Sequence, residues 1–166
     1  MAGHLYSATV TWRRQGDFAE NSYSRGHAWS FDGGIEVPAS ASPSVVPLPA
    51  SVKAAVDPEE AFVAAISSCH MLWFLDFARR DGLIVEAYED KAEGTMERVA
   101  RGKLAVTKVT LRPQVTFAGA ELPGADRLKE LHHKAHEACF IANSVTSEIE
   151  VAEVAPRLAR TPTGSP

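Results

Sequence analysis

Cysteine is scarce in this sequence, with two residues in 166 placed seventy positions apart. A disulfide framework is therefore excluded. The pair is either inert core or redox-active, because a reducing compartment disfavours a permanent staple. Basic excess is missing too: the formal charge is −4, without the electrostatic footprint of nucleic-acid binding. No apolar run is long enough for a comfortable membrane span, since the longest, 61–75, is short and carries Ser67, Ser68 and His70. The start, Met-Ala-Gly-His-Leu-Tyr, has neither the charged nor the apolar region of a signal peptide. The expectation is a cytoplasmic chain with no membrane or nucleic-acid partner. Walker A, Gly-x-Gly-x-x-Gly after a strand, His-Glu-x-x-His and Gly-x-Ser-x-Gly sequences do not occur. Nucleotide-driven and serine-hydrolase chemistry have no support, and no cofactor is called for.

What is present reads as one soluble α+β domain over residues 1–155, followed by a mobile Pro/Thr/Gly/Ser-rich tail over 156–166. Hydrophobic residues make up 45% and charged residues 23%, an ordinary globular balance. Alternation within residues 4–14 and 26–32 predicts two strands, and a short third starts at Ile35–Val37. Residues 38–55 carry four prolines and read as a long loop. Asp57-Pro58-Glu59-Glu60 is a helix start, with Asp57 as cap, Pro58 in the first turn and Glu60 closing a capping box. The helix runs to about Arg80 and stops at Asp81-Gly82. It is apolar nearly all round, which predicts a helix buried on several sides, either central or shared with a second subunit. Residues 83–99 and 103–117 read as two long strands joined across 100–102. Residues 125–138 form an amphipathic helix with Leu128, Leu131, Ala135 and Ala138 inward, and 147–154 a last strand.

Cys69, within Ile66-Ser67-Ser68-Cys69-His70, and Cys139, at the end of the second helix, are each ambiguous alone. A helical cysteine is more often a small buried hydrophobe than a nucleophile, and the nucleophile needs a nearby cation or donor. Spacing does not settle whether the two meet. His132 and His136 share a helix face, with Cys139 three residues on, and this set has the ligand types zinc takes, without an apparent fourth. His70, beside Cys69, points about 100° away and is expected to serve packing.

Two segments carry a family resemblance. Val56-Asp57-Pro58-Glu59-Glu60, followed by Cys69 ten residues after Glu59, resembles the Asn-Pro-Glu helix of OsmC/Ohr proteins, with Asp57 in place of the usual Asn. Lys134-Ala135-His136-Glu137-Ala138-Cys139 resembles the family's Ala-His-x-x-Cys segment. The likeness covers residues 4–154 and implies an OsmC-like fold of antiparallel sheets on a central helix, in an intertwined homodimer. It also implies a thiol peroxidase of organic hydroperoxides in oxidative-stress defence. Cys69 would be oxidised to a sulfenic acid and Cys139 would resolve it as a disulfide, reduced in turn by a dithiol such as a lipoyl protein. Glu59 would pair with an arginine that orients the substrate and stabilises the thiolate. That arginine is assigned to Arg25, with Arg13 and Arg14 as alternatives. Phe62, Trp73 and Phe140 would form an apolar wall. The Pro/Ser-rich loop and the His70-Met71 pair depart from Ohr proteins and point to an OsmC-like branch. Glu59 and Cys69 lie about 15 Å apart along one helix, at ~1.5 Å per residue, beyond the reach of a glutamate. Either an arginine bridges much of that gap, or Glu59 and Arg25 serve a partner's cysteine. The competing readings are a non-peroxidase dimer binding a small apolar ligand and a metal protein using His132, His136 and Cys139.

Overall fold

The computed structural model describes residues 3–159. Their contacts divide into two compact units, one up to Ala61 and the other from Phe62 onward. The sequence reading as one domain over 1–155 had no signal for that division.

In the first unit, strands β1 (Ala8–Thr11), β4 (His27–Phe31) and β5 (Glu36–Ala39) form an antiparallel sheet in the order β1-β4-β5. Between β1 and β4 lies a small hairpin, β2 (Gly16–Asp17) with β3 (Ser22–Tyr23), in a stretch that carries no strand prediction. Asp17 Oδ1 accepts the Ala19 and Glu20 amides, and Asn21 takes a left-handed φ of 56°, so local polar bonds close this turn. The long loop begins later than predicted, because Pro38 and Ala39 belong to β5.

Helix α1 (Pro58–Arg80) begins with the expected capping box: Glu60 N–H donates to Asp57 Oδ1 at 2.8 Å, and Asp57 N–H to Glu60 Oε2 at 3.2 Å. It ends in a Schellman turn. Gly82, at φ +75°, donates to the Arg79 carbonyl, and Leu83 donates to that of Ala78. By length and composition α1 would pass for a membrane span; here Ile66, His70, Phe74 and Ala78, at four-residue spacing, form its fully buried stripe in the core. Burial on several sides is not observed in the single chain, where Ala64, Ala65, Ser68 and Leu72 are exposed.

The two predicted long strands are each broken in two. β6 (Val85–Asp90) and β7 (Glu93–Ala100) come from the first, β8 (Lys103–Leu111) and β9 (Pro113–Phe117) from the second. β7 pairs with β8 and β6 with β9, giving two sheets rather than one hairpin. The inward register still runs unbroken through the gap, since Val109, Leu111, Pro113, Val115 and Phe117 are all buried. β10 (Glu148–Val151) adds parallel to β8 and β11 (Arg157–Leu158) parallel to β9, so the sheets are mixed, not purely antiparallel. The predicted tail therefore starts with a strand at 157–158, and 160–166 lies outside the described residues. Helix α2 (Ala125–Ala138) buries Leu128, Leu131 and Ala135 as predicted. Ile66 packs on Val109 and Leu111 with Ile149 and Val151 around them. Phe74 and Ala78 pack on Val115, Phe117 and α2. One helix thus closes the core of both sheets in the second unit.

Candidate functional site

Cys69 lies on α1 one residue before the buried stripe position His70, and is half-buried. Its stretch of helix is anchored from outside. Ser67 Oγ donates to Asp90 Oδ2 at 2.5 Å, while Asp90 Oδ1 accepts the Arg112 amide at 2.6 Å. The same carboxylate thus ties the helix to the point where both long strands break.

Cys139 is the C-cap of α2, 1% exposed, with extended backbone. A short 3-10 helix, Ala142–Ser144, folds back over it, and the Ala142 amide donates to Cys139 Sγ at 3.3 Å. Asn143 Nδ2 to the Glu137 carbonyl and Ser144 Oγ to the Phe140 carbonyl hold this turn at 2.9 and 2.7 Å. That is the structural use of the Asn143-Ser144 dipeptide after the cysteine. Burial, and after it the neighbouring Cys69 side chain, push the Cys139 thiol up to about 11, against the opposing Ala142 amide. Both cysteines are free. Seventy residues apart in sequence, the two thiols lie near enough for Cys69 to raise the Cys139 thiol.

Trp73, one turn beyond Cys69, meets Phe140 edge-on with ring centroids 5.4 Å apart, and Phe140 is 67% exposed. Two of the three predicted wall residues therefore stand beside the cysteines. Phe62 instead packs against the Ile66–Val109–Leu111 core.

Arg25 and Glu59 both belong to the first unit. The Arg25 guanidinium lies 3.7 Å over the Tyr23 ring and donates to the Asn21 side chain and to the Tyr23 carbonyl. Among the described residues no ion pair joins Arg25, Arg13 or Arg14 to Glu59. The predicted arginine–glutamate pair is not formed within this chain; the nearer Asn21 and the Tyr23 face capture the guanidinium first.

The sequence reading missed a histidine pair. His70 Nε2 and His132 Nδ1 are 3.1 Å apart, their rings stacked within 6° of parallel, and His132 stacks in turn on Phe74. Burial, then the charges of His132 and His136, bring His70 down to about 3; burial brings His132 down to about 4. Both rings are neutral near pH 7. The available signal was His132's place directly after the inward Leu131. Among the described residues no three His, Cys, Asp or Glu side chains are placed to hold a metal ion. The metal reading of His132, His136 and Cys139 is thereby corrected: His132 turns to His70, and Cys139 to Cys69.

A family model described as OsmC-like protein matches residues 51–154. An OsmC-like protein of unknown function from Vibrio cholerae is 54% identical, with 90% of this chain and 99% of that one covered and a TM-score of 0.87. An OsmC-like protein from Mycoplasma pneumoniae shares the fold at 13% identity and a TM-score of 0.69, over 96% of this chain and all of the other. An organic hydroperoxide resistance protein from Elizabethkingia anophelis does so at 17% and 0.62, with the same coverage. Among curated proteins no sequence matches.

Proposed function

The chain belongs to the OsmC-like protein family, and from that premise we propose that it is a cysteine-based peroxidase reducing organic hydroperoxides, with a peroxide-defence role in the cytoplasm. The observation that carries this reading is the meeting of Cys69 and Cys139. A half-buried thiol beside a buried one is an arrangement in which a sulfenic acid on the first can be resolved by the second, once the second gives up its proton.

Cys69 attacks as thiolate on the O–O bond. Its sulfur takes one oxygen to become a sulfenic acid, and the other oxygen leaves with a proton as the alcohol. The Cys139 thiol then attacks the sulfenic sulfur, water departs, and a disulfide forms. An external dithiol, of the kind a lipoyl protein carries, restores both thiols by exchange. The Trp73–Phe140 pair favours a hydroperoxide with an apolar body. In this reading Arg25 orients the peroxide and Glu59 fixes its guanidinium once the site assembles, a homodimer bringing both from one subunit to the cysteine pair of the other.

The test adds cumene hydroperoxide to the reduced protein and follows both thiols by mass spectrometry. A 69–139 disulfide should form rapidly, more slowly with hydrogen peroxide, and not at all in Cys69→Ser. Cys139→Ser should stop at oxidised Cys69 species. Survival of both thiols in the native protein rejects the peroxidase reading in favour of a dimer that binds a small apolar ligand.

A further inference from the structure

Beside α2, the segment from β10 to Pro156 leaves a cleft of about 820 Å³. That is within the range of small-molecule sites. Its apolar wall is Leu128, Ile149 and Val151, and its basic side is Lys129, His132, His133 and His136, with His133 turned to Glu137 at 3.4 Å. The acids facing it are Asp126 and Glu153, the latter only loosely paired with Lys129 at 3.8 Å.

The imidazole protons can be placed from cost. Only one proton sits between His70 Nε2 and His132 Nδ1 while both rings are neutral. Were it on His132, His70 would carry its own proton on Nδ1, which is buried and unpartnered. A buried N–H without an acceptor is the costlier orphan. The proton therefore belongs to His70 Nε2, and His132 keeps its own on Nε2, the nitrogen left for the cleft. His136 also lines the cleft, and its Nδ1 is buried and unpartnered. These two imidazoles and an ammonium thus line the same cleft as the apolar wall.

We propose that this cleft binds a small organic carboxylate, its head held by His132, His136 and Lys129 and its apolar body lying on Leu128, Ile149 and Val151. The site is independent of the cysteine chemistry.

Octanoate and octylammonium, titrated into the full-length protein carrying ¹⁵N-histidine, separate the outcomes. Octanoate should bind saturably and shift the His132 and His136 ring signals, while octylammonium of the same length should not. Lys129→Glu, on an exposed side chain, should weaken octanoate about tenfold or more, the loss of one charge-assisted bond. Cys69→Ser should bind octanoate as the native protein does, whatever becomes of the peroxidase assay. Equal binding of the amine, unmoved histidine signals, or unchanged affinity in Lys129→Glu would each overturn the proposal.

Discussion

A histidine sealed in a core must give up its charge, and His70 and His132 do so together. Free in the unfolded chain each titrates near 6.5, whereas in the fold burial holds them near 3 and 4. Between those values the unfolded state binds more protons, so stability rises with pH across that window and is flat above it. Acidification from pH 7 to 5 should cost on the order of 2 kcal/mol through His70 alone, with His132 adding to it. Urea denaturation at the two pH values measures this, and His70→Gln should flatten the difference. An unchanged midpoint would show that these rings are not sealed. At this scale the two cysteines were legible as a candidate pair because a short motif carries each. The His70–His132 pair was not, because it joins residues sixty-two positions apart. Nor was the capture of Arg25, where a close asparagine and tyrosine outcompete a more distant carboxylate.

Elements announce themselves through period and caps, and here both helices start and stop where the sequence places them. The strand breaks were illegible for a physical reason. Alternation continues through Arg112, and the interruption comes from Asp90 taking the Arg112 amide while also holding Ser67 of α1. That is a tertiary bond with no local signature. A second such constraint is Gly94 on β7, where a Cβ would lie 2.6 Å from Val63 Cγ2 and 3.3 Å from Val106 Cγ1. Valine is stiff at χ1 and cannot swing aside cheaply. Gly94→Ala should destabilise the protein by about 1–3 kcal/mol. Adding Val63→Ala should recover part of that loss, because it removes the opposing methyl; a double mutant that only sums the two losses would place the strain elsewhere. Denaturant midpoints of the three variants decide the matter.

At the scale of the whole molecule, alternation says which face of a strand is buried but not which strand it joins. The parallel pairing of β10 with β8 and of β11 with β9 therefore had no sequence signal. The apolar surround of α1 was legible, and the single chain satisfies only part of it: Leu72 stays 63% exposed on a helix whose opposite stripe is sealed. An exposed apolar helix face in a chain of this size is a reason to expect a second copy. The proposed homodimer, with Arg25 of one subunit serving Cys69 of the other, makes a prediction that no single-chain site makes. Arg25→Ala and Cys69→Ser homodimers should both be nearly inactive with cumene hydroperoxide. Dissociated in mild denaturant, mixed and refolded together, they should regain activity. Each mixed dimer then holds one site with an intact Cys69 from the first variant and an intact Arg25 from the second. A site built within one subunit has no such route, because every chain in the mixture lacks one of the two residues. Activity that fails to return, in a mixture whose mixed dimers are confirmed by native mass spectrometry, would place the arginine and the cysteine in the same subunit.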